Sequence, residues 1–393
     1  MNKTRLFPVD KSLEKPERVM LVGMMLGADY SGTNELREQS FQTALGEAAD
    51  LVRAAGGDLV RVETAKRDKA HTALFIGTGK TDELAAAVKR HDIGLVVFNH
   101  ELTPTQERNL EKELQCRVLD RVGLILAIFA KRAQSQEGKL QVELAQLSHL
   151  SGRLVRGYGH MQSQKGGIGL KGPGETKLET DRRLISQKIT VLERQLHSVR
   201  KQRAVRRKSR ESCRLKTFAI VGYTNAGKSS LFNRLTKADV LAKDQLFATL
   251  DTTARRLFLS HEASVILTDT VGFVRDLPHK LVSAFSATLE ETAVADVLLH
   301  VVDASNPDFQ RRIDDVNQVL EEIKAHEVPQ LLVYNKIDLM PEGGKEAGIL
   351  RGHCGKAAAV NISVEKSLGL EALREVMIEY ALADRPSEGW RFE

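Results

Sequence analysis

Long apolar runs are scarce in this 393-residue chain. The longest, residues 122–130, falls far short of the roughly 20 residues that cross a bilayer as a helix. The opening stretch, MNKTRLFPVDKSLEKPER, lacks the apolar core of a secretory signal. Both absences predict a cytoplasmic protein with no stable membrane insertion, leaving peripheral membrane association as an open alternative. Cysteine is equally sparse. Cys116, Cys213 and Cys354 stand far apart with no CxxC spacing, which supports neither a disulfide framework nor a zinc site and leaves buried free thiols as the expectation. No compositional extreme is present either: 42% of residues are hydrophobic and 28% charged, which excludes a disordered chain or a fibre. The length predicts roughly two to three domains.

What is there begins with charge. The net value is only +6, but residues 182–216 hold thirteen Lys or Arg against two acids, Glu193 and Glu211. Such a block is a candidate contact for a polyanion such as RNA, and equally a solvated face of an exposed helix.

The first 120 residues alternate short apolar runs with amphipathic stretches. Residues 18–26, 58–62, 73–76 and 94–98 read as strands, and 35–55, 82–90 and 105–115 as helices. This predicts an α/β domain over residues 1–120, an open layer with crossover helices. Gly77-Thr78-Gly79-Lys80 resembles a fragment of a phosphate loop but lacks the upstream glycine at the required spacing. A strand-to-helix turn with Thr78 or Thr81 as cap is the plainer reading. From 121 to 212 the pattern becomes helical. Leu140, Leu144, Leu147 and Leu154 share one helical face, and Leu178, Ile185, Ile189, Leu192, Leu196 and Val199 form the seam of a second long helix. Two long antiparallel helices fit these patterns. Between them, residues 151–176 carry eight glycines with Arg153, Arg156, Lys165 and Lys171. So long a basic, glycine-rich connection reads either as an RNA-contacting loop or as a spacer.

The third segment, residues 213–382 with a tail at 383–393, carries the chemistry. An apolar strand at 217–221 runs into Gly222-Tyr223-Thr224-Asn225-Ala226-Gly227-Lys228-Ser229, a phosphate-loop pattern between strand and helix. Glycines there let backbone amides wrap phosphates, and the helix N-terminus favours an anion. Lys228 is expected to reach the β- and γ-phosphates, and the Ser229 hydroxyl to bind Mg²⁺. Asp269-Thr270-Val271-Gly272 follows a second strand: Asp269 suits the metal's outer shell and the Gly272 amide the γ-phosphate. Asn335-Lys336-Ile337-Asp338 follows a third. The Asp338 carboxylate can accept from both N1–H and the exocyclic amine of guanine, a donor pair that adenine lacks, so GTP and GDP are the expected nucleotides. Ser363, Val364 and Glu365 fall where a backbone contact to the guanine oxygen is expected. Phe247-Ala248-Thr249-Leu250-Asp251 forms a first switch, whose Thr249, with Thr253 as the alternative, is expected to close over Mg²⁺. Lys228, Thr249, Gly272 and Asn225 are the expected catalytic set.

Two departures shape the expected mechanism. Phe273 follows Gly272, where Ras-like enzymes place a glutamine that orients water, so unassisted hydrolysis should be slow and a partner should accelerate it. Asn225 resembles the loop asparagine of GTPases that use a potassium ion in place of an arginine finger, which implies K⁺ beside Mg²⁺.

GGIGLKGPGETKLETDRR (residues 166–183), the basic helix after it, FATLDTTAR (247–255) and QVELAQL (141–147) together resemble the HflX family of ribosome-associated GTPases. One position departs: Thr252 stands where that family usually has proline. The resemblance implies an α/β N-terminal domain with a helical hairpin, followed by a GTPase domain with a mostly parallel sheet flanked by helices. It also implies binding to the large ribosomal subunit, separation of stalled or idle ribosomes under stress, and a glycine-rich loop reaching ribosomal RNA. A monomer is expected. Two rival readings remain: an RNA chaperone or helicase-like protein whose N-terminal domain uses ATP, and a regulatory GTPase acting on a protein partner.

Overall fold

The computed structural model describes residues 16–27, 33–156, 173–211, 215–237, 246–247, 249, 253–261, 263–275, 286–340, 346–352 and 355–383. The chain divides into two compact units, residues 1–131 with 139–197, and residues 132–138 with 198–393.

In the first unit, β1 (Arg18–Leu26), β2 (Asp58–Arg67), β3 (Leu95–Phe98) and β4 (Arg117–Leu119) make an all-parallel sheet in the order β2-β1-β3-β4. The inner strands β1 and β3 are buried along nearly their whole length, as their unbroken apolar sequences require, whereas edge strand β2 is mixed. The crossovers are α1 (Asn34–Ala55), α2 (Thr78–His91) and α3 (Pro104–Leu114), followed by α4 (Arg121–Arg132). Local signals set their ends. The Thr33 hydroxyl accepts from Leu36 N, and Gly56, at φ 89°, closes α1 in the left-handed region. Thr103 and Gln106 form a reciprocal capping box ahead of α3, with Pro104 in its first turn.

Two sequence expectations are corrected here. Residues 73–76 are not a strand: His71 and Phe75 bridge across a tight turn, Phe75 takes a positive φ of 61°, and its ring is buried. The turn's carbonyls find partners in α3 instead of a ladder, since Gln106 and Asn109 donate to His71 O and Ala73 O. Neither Thr78 nor Thr81 caps α2. Gly77 holds that position without a side-chain bond, and the Thr81 hydroxyl donates back to Gly77 O.

Two long helices follow, α5 (Gln136–Arg156) and α6 (Pro173–Glu211). Of the connection expected over 151–176, residues 151–156 belong to α5 and 173–176 to α6, and residues 157–172 lie outside the described residues. Along α6, Leu192 and Leu196 are buried and Ile185, Ile189 and Val199 half-buried, while the off-stripe Leu184 and Val191 are half exposed. That is the four-three pattern at work.

The second unit contains β5 (Thr217–Val221), α7 (Lys228–Thr236), β6 (Thr253–Phe258), β7 (Ser264–Asp269), α8 (Ser286–Ala293), β8 (Val297–Asp303), α9 (Phe309–Glu322), β9 (Gln330–Asn335), β10 (Gly348–Arg351), β11 (Ala357–Asn361) and α10 (Leu370–Leu382). Its seven strands run in the order β10-β11-β9-β8-β5-β7-β6. Only the edge strands β6 and β10 are antiparallel to their neighbours. Phe218, Ile220, Phe232, Leu267 and Val301 pack on one face, and Ala219, Val221, Phe273, Leu298 and Leu320 on the other. Among the described residues, no helix is long and apolar enough to cross a membrane.

Candidate nucleotide site

β5 pairs with β7 on one side and β8 on the other, so the loop after it opens where the chain's connections diverge, a common place for a ligand in such sheets. That loop is residues 222–229. Gly222 has φ 144°, and a Cβ there would lie 2.2 Å from Val301 O, so the strand crossing admits only glycine. Gly227, at φ 95°, precedes α7 and would place a Cβ 2.3 Å from Asn335 Nδ2. No side chain caps α7, so its first-turn amides stay available to an anion. Asn225 sits exposed at the tip with φ 61°, a conformation asparagine tolerates better than most residues. Ala226 is buried, and Tyr223 is buried with the Arg312 guanidinium 4.7 Å above its ring.

The functional side chains converge at the base of the loop. Ser229 Oγ and Thr249 Oγ1 lie 2.7 Å apart, and each donates to Asp269 Oδ2 at 2.8 Å. The other carboxylate oxygen, Oδ1, is buried and has no partner among the described residues. Burial pushes the Asp269 carboxyl above the usual range, against the hydroxyl bonds and the nearby Lys228 charge. Two hydroxyls and an unsatisfied carboxylate oxygen are hard donors, and they fit a small divalent cation such as Mg²⁺. Among the described residues, no three His, Cys, Asp or Glu side chains form a self-sufficient metal cluster, so phosphate or water oxygens would have to complete the shell. Lys228 is buried and its amine donates to Tyr223 O at 2.7 Å. Burial lowers it to about 8, opposed by Asp269.

Gly272 faces the same spot: a Cβ there would lie 2.8 Å from Thr224 Cγ2 and 2.9 Å from Lys228 Nζ. Thr270 donates its hydroxyl to Ile220 O at 2.6 Å, and Val271 is buried. Phe273 is 2% exposed in the core, and its backbone is tied to the loop by Thr224 N to Phe273 O at 2.7 Å and Phe273 N to Gly222 O at 3.1 Å.

On the nucleoside side, Asn335 braces two loops. Its Nδ2 donates to Ala226 O at 2.9 Å and its Oδ1 accepts from Val364 N at 3.1 Å. Lys336 pairs with Asp303 Oδ2 at 2.8 Å, and Asp338 is half-buried on the short turn Ile337–Leu339. Ser363 is buried, with its amide on Leu368 O and its hydroxyl accepting from Lys366 N; Glu365 is exposed. Phe247 is buried at φ 55°, whereas Ala248, Leu250 and Asp251 lie outside the described residues.

The expected RNA contacts fare differently. Arg153 lies on α5, and its guanidinium is held by Glu107 at 2.6 Å and Asp120 at 3.1 Å, which makes it an internal brace and not a loop cation. Burial raises Glu107 to about 7 despite that pairing. Arg156 ends α5 with its side chain outside the described residues, as are Lys165 and Lys171. Sequence reasoning missed Asp303 and the structural use of Phe273. An acid ending the apolar run of β8 on the loop side of the sheet is the signal that could have flagged Asp303.

A mostly parallel sheet with this loop at its switch point and these three motifs at its strand ends defines a P-loop GTPase. Family models for the N-terminal region of GTP-binding GTPases (residues 42–130), for their middle region (132–210) and for a 50S ribosome-binding GTPase (217–336) match in turn. GTPase HflX of Escherichia coli K12 is 52% identical over 335 residues, which cover 85% of this chain and 78% of that protein. GTPase HflX of Alkalihalophilus pseudofirmus is 44% identical, covering 95% and 86%. The chain therefore belongs to the HflX family of GTPases; it binds GTP and GDP and hydrolyses GTP. The crystal structure of SsGBP with GDP has the same fold, with a TM-score of 0.51 at 23% identity over 93% of this chain and 98% of that one.

Proposed function

We propose that this GTPase acts on the large ribosomal subunit, separating stalled or idle ribosomes under stress, with GTP favouring the bound form and hydrolysis favouring release. The observation that carries the nucleotide half is the Ser229–Thr249–Asp269 oxygen cluster with its unsatisfied carboxylate oxygen. In this reading Ser229 and Thr249 would hold Mg²⁺ with Asp269 behind them, and Lys228 would exchange Tyr223 O for the β- and γ-phosphates. The metal would supply charge neutralisation at the phosphates. Gly272 offers its amide to the γ-phosphate and Asp338 accepts from guanine. Residues 222–229, 247–251, 269–272 and 363–365 are the proposed nucleotide-binding residues.

Support for the ribosomal half is the match to the 50S ribosome-binding GTPase model and the excess of Lys and Arg in the sequence of α6. Hydrolysis without a partner should be slow, because Phe273 is committed to the core and supplies no group to orient water. Asn225, exposed at the loop tip, is the proposed potassium contact. The test is sedimentation of joined ribosomes with the full chain and a non-hydrolysable GTP analogue. Joined particles should convert to subunits, and steady-state hydrolysis should rise with ribosomes and be faster in potassium than in sodium. Ribosomes that stay joined, with equal rates in all conditions, refute the proposal.

A further inference from the structure

We propose that the side-chain hydroxyl of Thr224 is a catalytic contact to the terminal phosphoryl group of GTP; the proposal deepens the phosphate-loop reading above and rests on it. Three groups crowd one spot at the loop's base. The Cβ position of Gly272 lies 2.9 Å from Lys228 Nζ and 2.8 Å from Thr224 Cγ2. It is the Thr224 methyl that faces Gly272; Oγ1 shares its Cβ, so rotation about the Cα–Cβ bond brings the hydroxyl to the space in which Lys228 and Gly272 would meet the terminal phosphate.

The hydroxyl is out of place as a structural group. Thr224 is 3% exposed, and Oγ1 is buried with no hydrogen-bond partner among the described residues. A buried hydroxyl without a partner costs stability, while valine would fill the same volume at no such cost. The neighbouring Thr270 hydroxyl shows the ordinary solution, since it is satisfied by Ile220 O. The Thr224 backbone is held at this place by its amide bond to Phe273 O at 2.7 Å, so only the side chain has to rotate. Such an unsatisfied donor gains its partner when a phosphoryl oxygen arrives. Phe273, the residue after Gly272, supplies no rival, as its ring is turned into the core.

The hydroxyl therefore donates to a terminal phosphoryl oxygen and strengthens its bond as charge shifts during transfer to water. No covalent bond to Thr224 forms or breaks; water takes the phosphoryl group and GDP leaves. GDP lacks the acceptor, so its affinity should not depend on this hydroxyl.

The experiment uses the full chain with Mg²⁺, in single-turnover and steady-state GTP hydrolysis, alongside GDP titrations. Thr224→Val should lower kcat about 10- to 100-fold, the scale expected for one donor to a developing charge. GDP affinity should stay within about 2-fold and thermal stability should hold or rise. Thr224→Ser should keep kcat within about 3-fold of the parent. A valine variant as fast as the parent overturns the proposal, as does a serine variant that loses as much as valine. Should valine prevent folding, Thr224→Ala carries the same readout. A parent chain that neither binds GDP nor hydrolyses GTP would instead overturn the phosphate-loop reading beneath.

Discussion

Asn335 is usually thought of as part of a base reader, yet its geometry here predicts a cost that appears before any nucleotide binds. Its Nδ2 donates to Ala226 O at 2.9 Å and its Oδ1 accepts from Val364 N at 3.1 Å, and the side chain is buried. Asn335→Ala removes both bonds, each worth about 1 kcal/mol net, and leaves two buried backbone groups with no replacement. Partial access of water to the emptied space limits the further penalty, so the total loss should be about 2–4 kcal/mol. For a unit of this size that corresponds to a fall in Tm of roughly 5–15 °C. The assay is thermal and chemical unfolding of the nucleotide-free chain, following the transition of the second unit, with GDP titrated afterwards. Asn335→Asp keeps the acceptor for Val364 N but presents a carboxylate to Ala226 O, so it should not rescue the loss. If the nucleotide-free variant unfolds within about 0.5 kcal/mol of the parent while GDP binding collapses, Asn335 acts only on the ligand and the bracing argument fails.

Gly272→Ala should strongly impair GTP hydrolysis while GDP still binds, since its Cβ would press on Thr224 and the Lys228 amine; hydrolysis and GDP titration measured side by side check this. His300 is buried on β8, and burial holds it down to about 4, partly offset by Gln330. Its contribution is present above pH 6.5 and lost as pH falls from there toward 4, because the unfolded chain takes up the proton first. Chemical denaturation at pH 7 and 5 should show this slope in the parent, and His300→Gln should flatten it. Arg153→Ala leaves the half-buried Glu107 and the buried Asp120 without this cation, which should cost the first unit about 3 kcal/mol in the absence of any RNA. Unchanged unfolding of that unit would return Arg153 to the role of a surface cation.

The nucleotide site was the most legible part of the chain, because its residues obey local rules. Phosphate loops need glycine where backbones cross, as at Gly222 and Gly227, and the motifs sit at strand ends that apolar runs announce. The seam of α6 was legible for a similar reason, since helical period alone predicts which of its leucines are covered. Residues 73–76 misled because a short apolar run reads alike in a strand and in a turn anchored by a buried ring; the partners that decide between them, Gln106 and Asn109, lie more than thirty residues away. Arg153 misled because a cation in a glycine-rich neighbourhood looks solvent-facing until the helix carries it over Glu107 and Asp120.

By itself, the sequence pointed to a guanine nucleotide and proposed the loop for its phosphates, since donor and acceptor types at fixed spacing are local features. It also marked Phe273 as unable to orient water. Only the tertiary structure decided where that ring goes, which threonine meets Ser229 and Asp269, and that Asp303 and Val364 brace Lys336 and Asn335. These are contacts between segments distant in the chain, and their distances arise from the order of strands in the sheet, which no local pattern of residues encodes.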